Sequence, residues 1–199
     1  MKQTIEIEVP EGKKAVWNNG KIEFVDVNVM ELLKNSKYPE RDLMNIIAKE
    51  VDEGDSDDLF DLYSKYMDSP EDTHIEPVAK LKLFLAYLNK GHKFDLISGD
   101  VYYPYVRFYR KDKLPKDETV VGYFEYKEKV YVLVGGYAYY GSHAGLAAFH
   151  SSYGISNSIS YCGFLACKDK ETAQFVATTF GKLLFDVNFG SLIDYEWLD

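Results

Sequence analysis

Cysteine is scarce in this chain: Cys162 and Cys167 are the only two among 199 residues. That excludes the disulfide framework that staples small secreted domains, and it suits a reducing compartment. Long apolar runs are also missing, and none approaches the ~20 residues a membrane-spanning helix needs. The opening MKQTIEIEVP alternates polar and apolar residues without the apolar core of an export signal, so none is expected there. Positive charge is in deficit, with 23 Lys and Arg against 32 Asp and Glu. The resulting formal charge of −9 gives no general attraction for nucleic acid or anionic lipid.

The most informative absence is local. From Val130 to Cys167, 38 consecutive residues contain no Lys, Arg, Asp or Glu, in a chain that is 28% charged. Six Tyr, six Gly and six Ser fill much of that stretch, together with both cysteines, His143 and His150. It is too rich in Gly, Ser and Asn to cross a membrane. Its composition suits close backbone packing and a surface of phenol rings. The acidic charge is concentrated elsewhere: residues 40–76 carry 13 acids and 3 bases, a net of −10, so the remainder sums to +1. A solvated helical face explains this most simply, and mimicry of nucleic-acid charge is the alternative.

A hydrophobic content of 46% with 16% aromatics is enough for one domain with a sizeable core and argues against disorder. Gln3–Val9 alternates with period two and predicts a strand. Lys13–Trp17 and Lys21–Val25 flank Asn18-Asn19-Gly20, which predicts a hairpin because Asn-Gly tolerates positive φ. Trp17 is expected to cover one face of that hairpin. Helices are expected over Val27–Asn35, Pro39–Val51, from an Asp55-Ser56 cap through Tyr66, and from Ile75 to a stop at Gly91. Leu43, Ile46, Ile47 and Val51 share a face, as do Val78, Leu81, Leu85 and Leu88. Val101–Tyr109 reads as a strand that Pro104 confines to an edge or a bulge. Val120–Tyr126 and Lys129–Val134 read as paired strands, whereas residues 135–163 show no clear periodicity. Phe164–Cys167 reads as a closing strand, and Asp169 as the cap of a helix to Phe185. No internal repeat is evident. The chain reads as a single α+β domain over residues 1–199, with sub-parts 1–91 and 92–199. Its centre is an antiparallel, aromatic-rich sheet with helices packed on one side and an N-terminal β-hairpin.

Several chemistries fail on spacing. His143, His150, Cys162 and Cys167 form the one set with soft metal-ligand types, but H-x₆-H and C-x₄-C are looser than common structural zinc sites. No metal or other cofactor is implied. The same residues offer a thiolate and a histidine base, without a family motif around either cysteine. Gly136 and Gly141 have Walker spacing, but Ser142 and His143 stand where Lys and Ser or Thr are required. These glycines read instead as turns and tight packing. Asp52 to Asp58 lacks the order of a calcium loop. Arg107, Arg110, Lys111, Lys113 and Lys116 follow a Tyr-rich strand, but interspersed acids dilute them to a solvated loop, so nucleic acid is not the expected partner.

Twelve of the 17 tyrosines lie between Tyr102 and Tyr161. Those from Tyr123 to Tyr131 suit strand packing. Tyr137, Tyr139, Tyr140, His143 and Tyr153, set among glycines, form the candidate binding surface. Tyr beside Ser, Gly and Asn provides contact area at low entropic cost.

The segments IEIEVPEGKKAVWNNGKIEFV, LNKGHKFD, VYYPYVRF and YAYYGSHAGLAAFHSSYGISNSISYCGFLACKDKETAQFV resemble an uncharacterised family associated with phages and prophages of gut anaerobes. The likeness covers the first 25 residues and most of 80–185, and leaves 40–76 uncovered. A Trp is common in that family where this chain has His92. No catalytic residue carries over. The resemblance implies an accessory protein acting in the host cytoplasm. With the neutral surface, the expected function is non-enzymatic binding of a protein partner or a second copy, without a membrane. The alternatives are a small Cys/His enzyme or a module binding a sugar or nucleotide base.

Overall fold

A computed structural model describes residues 7–9, 13–54, 57–68, 75–94, 101–140, 165–190 and 192–198. The elements run β1 (Lys13–Asn18), β2 (Lys21–Asp26), α1 (Val29–Lys34), α2 (Pro39–Asp52), α3 (Asp57–Met67), α4 (Ile75–Leu88), β3 (Val101–Arg110), β4 (Val120–Tyr126), β5 (Lys129–Tyr140), α5 (Lys170–Thr179), α6 (Gly181–Phe189) and β6 (Glu196–Leu198). This is the expected α+β fold. A four-stranded antiparallel sheet has the order β3-β5-β4-β6, and β1 with β2 forms a separate hairpin.

Periodicity located the core well. Leu43, Ile47, Leu81, Leu85, Ala173, Val176, Ala177, Phe180 and Leu184 are all buried in one cluster, where α1 to α4 meet α5 and α6. A second cluster joins Phe124 and Leu133 of the sheet to Phe185 of α6, ringed by Tyr131, Tyr195 and Trp197. Side chains two apart on a strand share a face. Accordingly α5 and α6 lie on the face that carries Leu133 and Gly135.

The hairpin turns on Asn19 and Gly20, whose φ values of +46° and +80° suit the two-residue turn expected from Asn-Gly. It does not pack as expected. Trp17 is 72% exposed and every described side chain of the hairpin is exposed. An ion pair of 2.9 Å between Lys14 and Glu31 ties it to α1.

Pro104 stands on an edge strand, as its missing N–H demands. Tyr102 exchanges backbone hydrogen bonds of 3.3 and 2.8 Å with Cys167 on the side away from β5. Pro104, two residues further, therefore turns its nitrogen to the same outer side and costs the ladder nothing.

Four further expectations need correction. Ile7–Val9 are not strand, and the rest of the predicted N-terminal strand lies outside the described residues. β5 runs six residues beyond Val134, through Gly135 and Gly136 to Tyr140. Phe164 lies outside the described residues, and Cys167 makes an isolated bridge rather than a strand. The helix after Asp169 breaks at Phe180, at φ −113° and ψ +25°. The break follows from packing. Phe180 is fully buried against Phe84 and Phe175, and Gly181 restarts the helix so close to β4 that a Cβ would stand 2.6 Å from Val121 Cγ1. β6, paired with β4, had no sequence signal that periodicity could detect.

Candidate functional site

The site is built on α5. Asp169 caps this helix, its Oδ1 accepting from the Thr172 N–H at 2.7 Å. Its inner face, Ala173, Phe175, Val176 and Ala177, is buried, so Lys170, Glu171, Gln174 and Thr178 are left to line a cavity of about 580 Å³. The opposite wall is α1, contributing Asn28, Met30, Glu31 and Lys34. Asn28 caps that helix, accepting from the Met30 N–H at 2.9 Å. Thr178 also borders a second cavity of about 480 Å³, lined by residues 37–41 at the start of α2 and by Lys182 of α6. The two cavities share Thr178 as a wall, and together they are the groove beside α5.

Cations on aromatic rings are its chief feature. Lys34 stands 5.9 Å from the Phe175 ring centroid, and Lys170 stands 5.2 Å from that of Tyr137. Lys37 and Arg41 lie 5.2 and 4.6 Å from Tyr38, and Lys182 lies 5.1 Å from Trp197. Among the described residues, Lys34, Lys37, Lys170 and Lys182 make no salt bridge with a carboxylate. Two of the groove's three acids are engaged: Glu31 with Lys14 at 2.9 Å, and Glu40 with Lys80 at 3.5 Å. The hydrogen bond from Lys14 holds the Glu31 carboxyl below its usual range. The hydrogen bond with Tyr137 holds the Lys170 ammonium above its usual range.

Behind the second cavity lies a half-buried polar cluster. Lys80 reaches Glu76 at 3.3 Å as well as Glu40, and the Tyr66 hydroxyl donates to Glu76 at 3.4 Å. Burial pushes the Glu40 carboxyl up, against the pull of Lys80. On α6, Asp186 accepts from the Tyr195 hydroxyl and from Trp197 Nε1, the latter at 3.1 Å, and burial pushes its carboxyl up too. The first set of contacts ties α2 and α3 to α4, and the second ties α6 to β6. Among the described residues no group of three or more His, Cys, Asp or Glu is arranged to hold a metal ion.

Of the residues singled out in the sequence, Tyr137 lies beside the groove, under Lys170. It is half-buried, packed on the main core, with the Tyr102 ring 6.4 Å away and Lys170 above it. Tyr139 and Tyr140 continue β5 opposite Tyr102 and Val101. His143 and Tyr153 lie outside the described residues, as do Cys162 and His150. Cys167 is fully buried, and burial pushes its thiol up to about 12. A thiol so held stays protonated near neutrality and is no nucleophile. The basic run that starts at the end of β3 does not gather into a patch: Arg107 lies over Tyr105, Arg110 pairs with Asp112 at 3.1 Å, and Lys111 lies over Tyr123.

Sequence reasoning missed the groove because its cations come from α1, the start of α2, α5 and α6. The only local hint was Lys170 directly after the Asp169 cap, which put a cation on the first turn of a helix whose inner face was already assigned. No family model matches the chain, and neither a curated protein nor a solved structure does. Among the described residues no helix is long and apolar enough to cross a membrane.

Proposed function

We propose that this chain is a non-enzymatic binding protein whose partner docks in the groove along α5 and on the tyrosine corner beside it. One observation carries the reading. Lys170 lines the larger cavity and also stands on the Tyr137 ring, so the groove adjoins a tyrosine of the neutral stretch. A cavity of this size between two helices with capped N-termini is preformed, which lowers the ordering cost of binding. The partner is a protein. A flat sugar or base would find one side of the Tyr137 ring already taken by Lys170. The likeness to phage and prophage proteins supports an accessory role in a host cytoplasm.

Photo-crosslinking tests the docking surface. A photoreactive amino acid at Glu171 or Gln174 should capture the same partner in the cells that make this protein. The same probe at Lys113, on the turn after β3, should capture none. Adding Tyr137→Ala should abolish the adduct. Equal capture at all three positions, or none at the groove, refutes the reading.

A further inference from the structure

We propose that the outer side of α3 docks a basic amphipathic helix of a protein partner, at a surface separate from the α5 groove. Phe60 and Met67 carry the argument. They are 55% and 61% exposed, although Leu59, Leu62, Tyr63 and Tyr66 of the same helix pack into the main core. At ~100° per residue, positions seven apart lie about 20° from one another around a helix. Phe60 and Met67 therefore form one stripe, more than a quarter turn from the side that Leu59, Leu62 and Tyr66 turn to the core. Asp61 and Asp68 share the same seven-residue spacing and form a second stripe beside it. Asp68 continues the helical turn, its N–H donating to the Ser64 carbonyl at 2.9 Å. Both carboxylates are exposed, and among the described residues neither is in an ion pair. Glu40, Glu50, Glu53 and Glu76, in contrast, are paired with Lys80, Lys90, Lys49 and again Lys80. None of the stripe residues lines either cavity beside α5.

Charge and area choose the occupant. Residues 52–72 carry nine acids and one base, a net of −8. The base, Lys65, lies roughly 150° around the helix from the apolar stripe, on the far side of the acids. A second copy would set two such acidic surfaces against each other, and like charges across an interface repel. Nucleic acid and anionic lipid are turned away by the same field. The two apolar side chains leave roughly 200 Å² uncovered, against about 800 Å² per partner in a standard interface. That is the contact of one helix lying along another, where apolar residues at a seven-residue repeat meet and flanking charges select the partner. A helix with apolar residues at that repeat and Lys or Arg beside them satisfies both stripes.

Fluorescence anisotropy with the intact chain tests this with three labelled peptides: a Leu/Lys helix with its leucines on one face, its Leu/Glu counterpart, and the Leu/Lys composition in scrambled order. The Leu/Lys helix should bind, and the other two should bind about tenfold more weakly or not at all. Phe60→Ser/Met67→Ser should lower its affinity about tenfold, since both side chains lose apolar contact. Asp61→Asn/Asp68→Asn should lower it about threefold and flatten its salt dependence. Asp194→Asn/Glu196→Gln, which removes the same charge from two exposed acids at β6, should change it less than about twofold. Phe60 and Met67 are exposed, so the melting temperature should hold. Met67→Lys, which keeps a good helix former and sets a cation in the stripe, should weaken binding as much as the double serine variant. The inference is overturned if the Leu/Lys helix does not bind or if either control peptide binds as tightly. It is overturned equally if any of the three stripe variants binds unchanged, or if the β6 pair loses as much as Asp61→Asn/Asp68→Asn. A dimer in sedimentation that Met67→Lys dissolves would assign the stripe to a second copy and overturn it too.

Discussion

Replacing Gly135 by alanine should destabilise this protein by about 2 kcal/mol, and the magnitude follows from one close approach. Gly135 lies on the central strand β5, where α5 crosses it. An added Cβ would stand 2.4 Å from the Ala177 carbonyl oxygen and 2.8 Å from its carbon, with Val121 Cγ2 at 3.1 Å. The first two are backbone atoms of a helix whose inner face is buried, so relief requires moving the helix rather than turning a side chain. Inserting one methyl into a packed core costs about 1–3 kcal/mol, and a backbone collision belongs at the upper end. Reduced entropy of the unfolded chain returns about 0.5–1 kcal/mol. Gly136, one residue on, is the control. Its Cβ would meet the far end of the Tyr105 ring at 2.6 Å, and a ring can turn aside. Gly136→Ala should therefore cost less than about 1 kcal/mol. In urea, Gly135→Ala should lower the midpoint by about 1 M with unchanged slope, and the melting temperature should fall about 4–8 °C. An unaltered midpoint for Gly135→Ala, or a larger loss for Gly136→Ala, would refute the packing argument.

Three further outcomes are expected. Thr172 Oγ1 is buried without a hydrogen-bond partner among the described residues, so Thr172→Val, which keeps the shape and removes the hydroxyl, should raise stability by about 1 kcal/mol in the same denaturation assay. Asp186→Ala should cost about 2–3 kcal/mol by orphaning the Tyr195 hydroxyl and the Trp197 N–H, while Asp186→Asn keeps an acceptor and should cost less. Burial raises the folded-state pKa of Asp186 above 3.8, so its contribution is full below that value and is lost as pH rises through the folded pKa. Asp186→Asn should flatten that part of the stability–pH curve, and an unchanged curve would contradict the burial argument. Cys167 should resist iodoacetamide in the folded chain at mildly alkaline pH and react on unfolding, because its thiol is held near 12. Mass spectrometry showing rapid native labelling at Cys167 would contradict its placement.

Fold class was legible because local chemistry and tertiary structure agree over most of the chain. Asn19-Gly20 makes the turn its φ values permit, Pro39 opens α2, Asp169 caps α5, and the stripe from Leu81 to Leu88 is buried. The glycines of β5 were harder. A residue without a side chain carries no periodic signal, and the meaning of Gly135 is the helix above it. Phe180 misled for a related reason, since its apolar phase continued the helix while its buried ring fixed the place where the backbone turned. At the candidate site, Tyr137 was singled out in the sequence, and Lys170, which stands over its ring, was not.

Local chemistry thus determined, from the order of residues alone, which segments are helix or strand, which faces are apolar, and that the neutral stretch begins on a strand of tyrosines. Those are short-range matters of period, φ preference and hydrogen-bond capping, written within a few positions of each residue. Only the tertiary structure decided that Lys34, Lys37, Arg41, Lys170 and Lys182 share one groove, that Cys167 is sealed in the core, and that Trp17 stands in solvent. Such groupings join residues up to 148 positions apart, as Lys34 and Lys182 are. They depend on how α1 and α2 settle against α5 and α6, which the packing of buried side chains determines and no local pattern records.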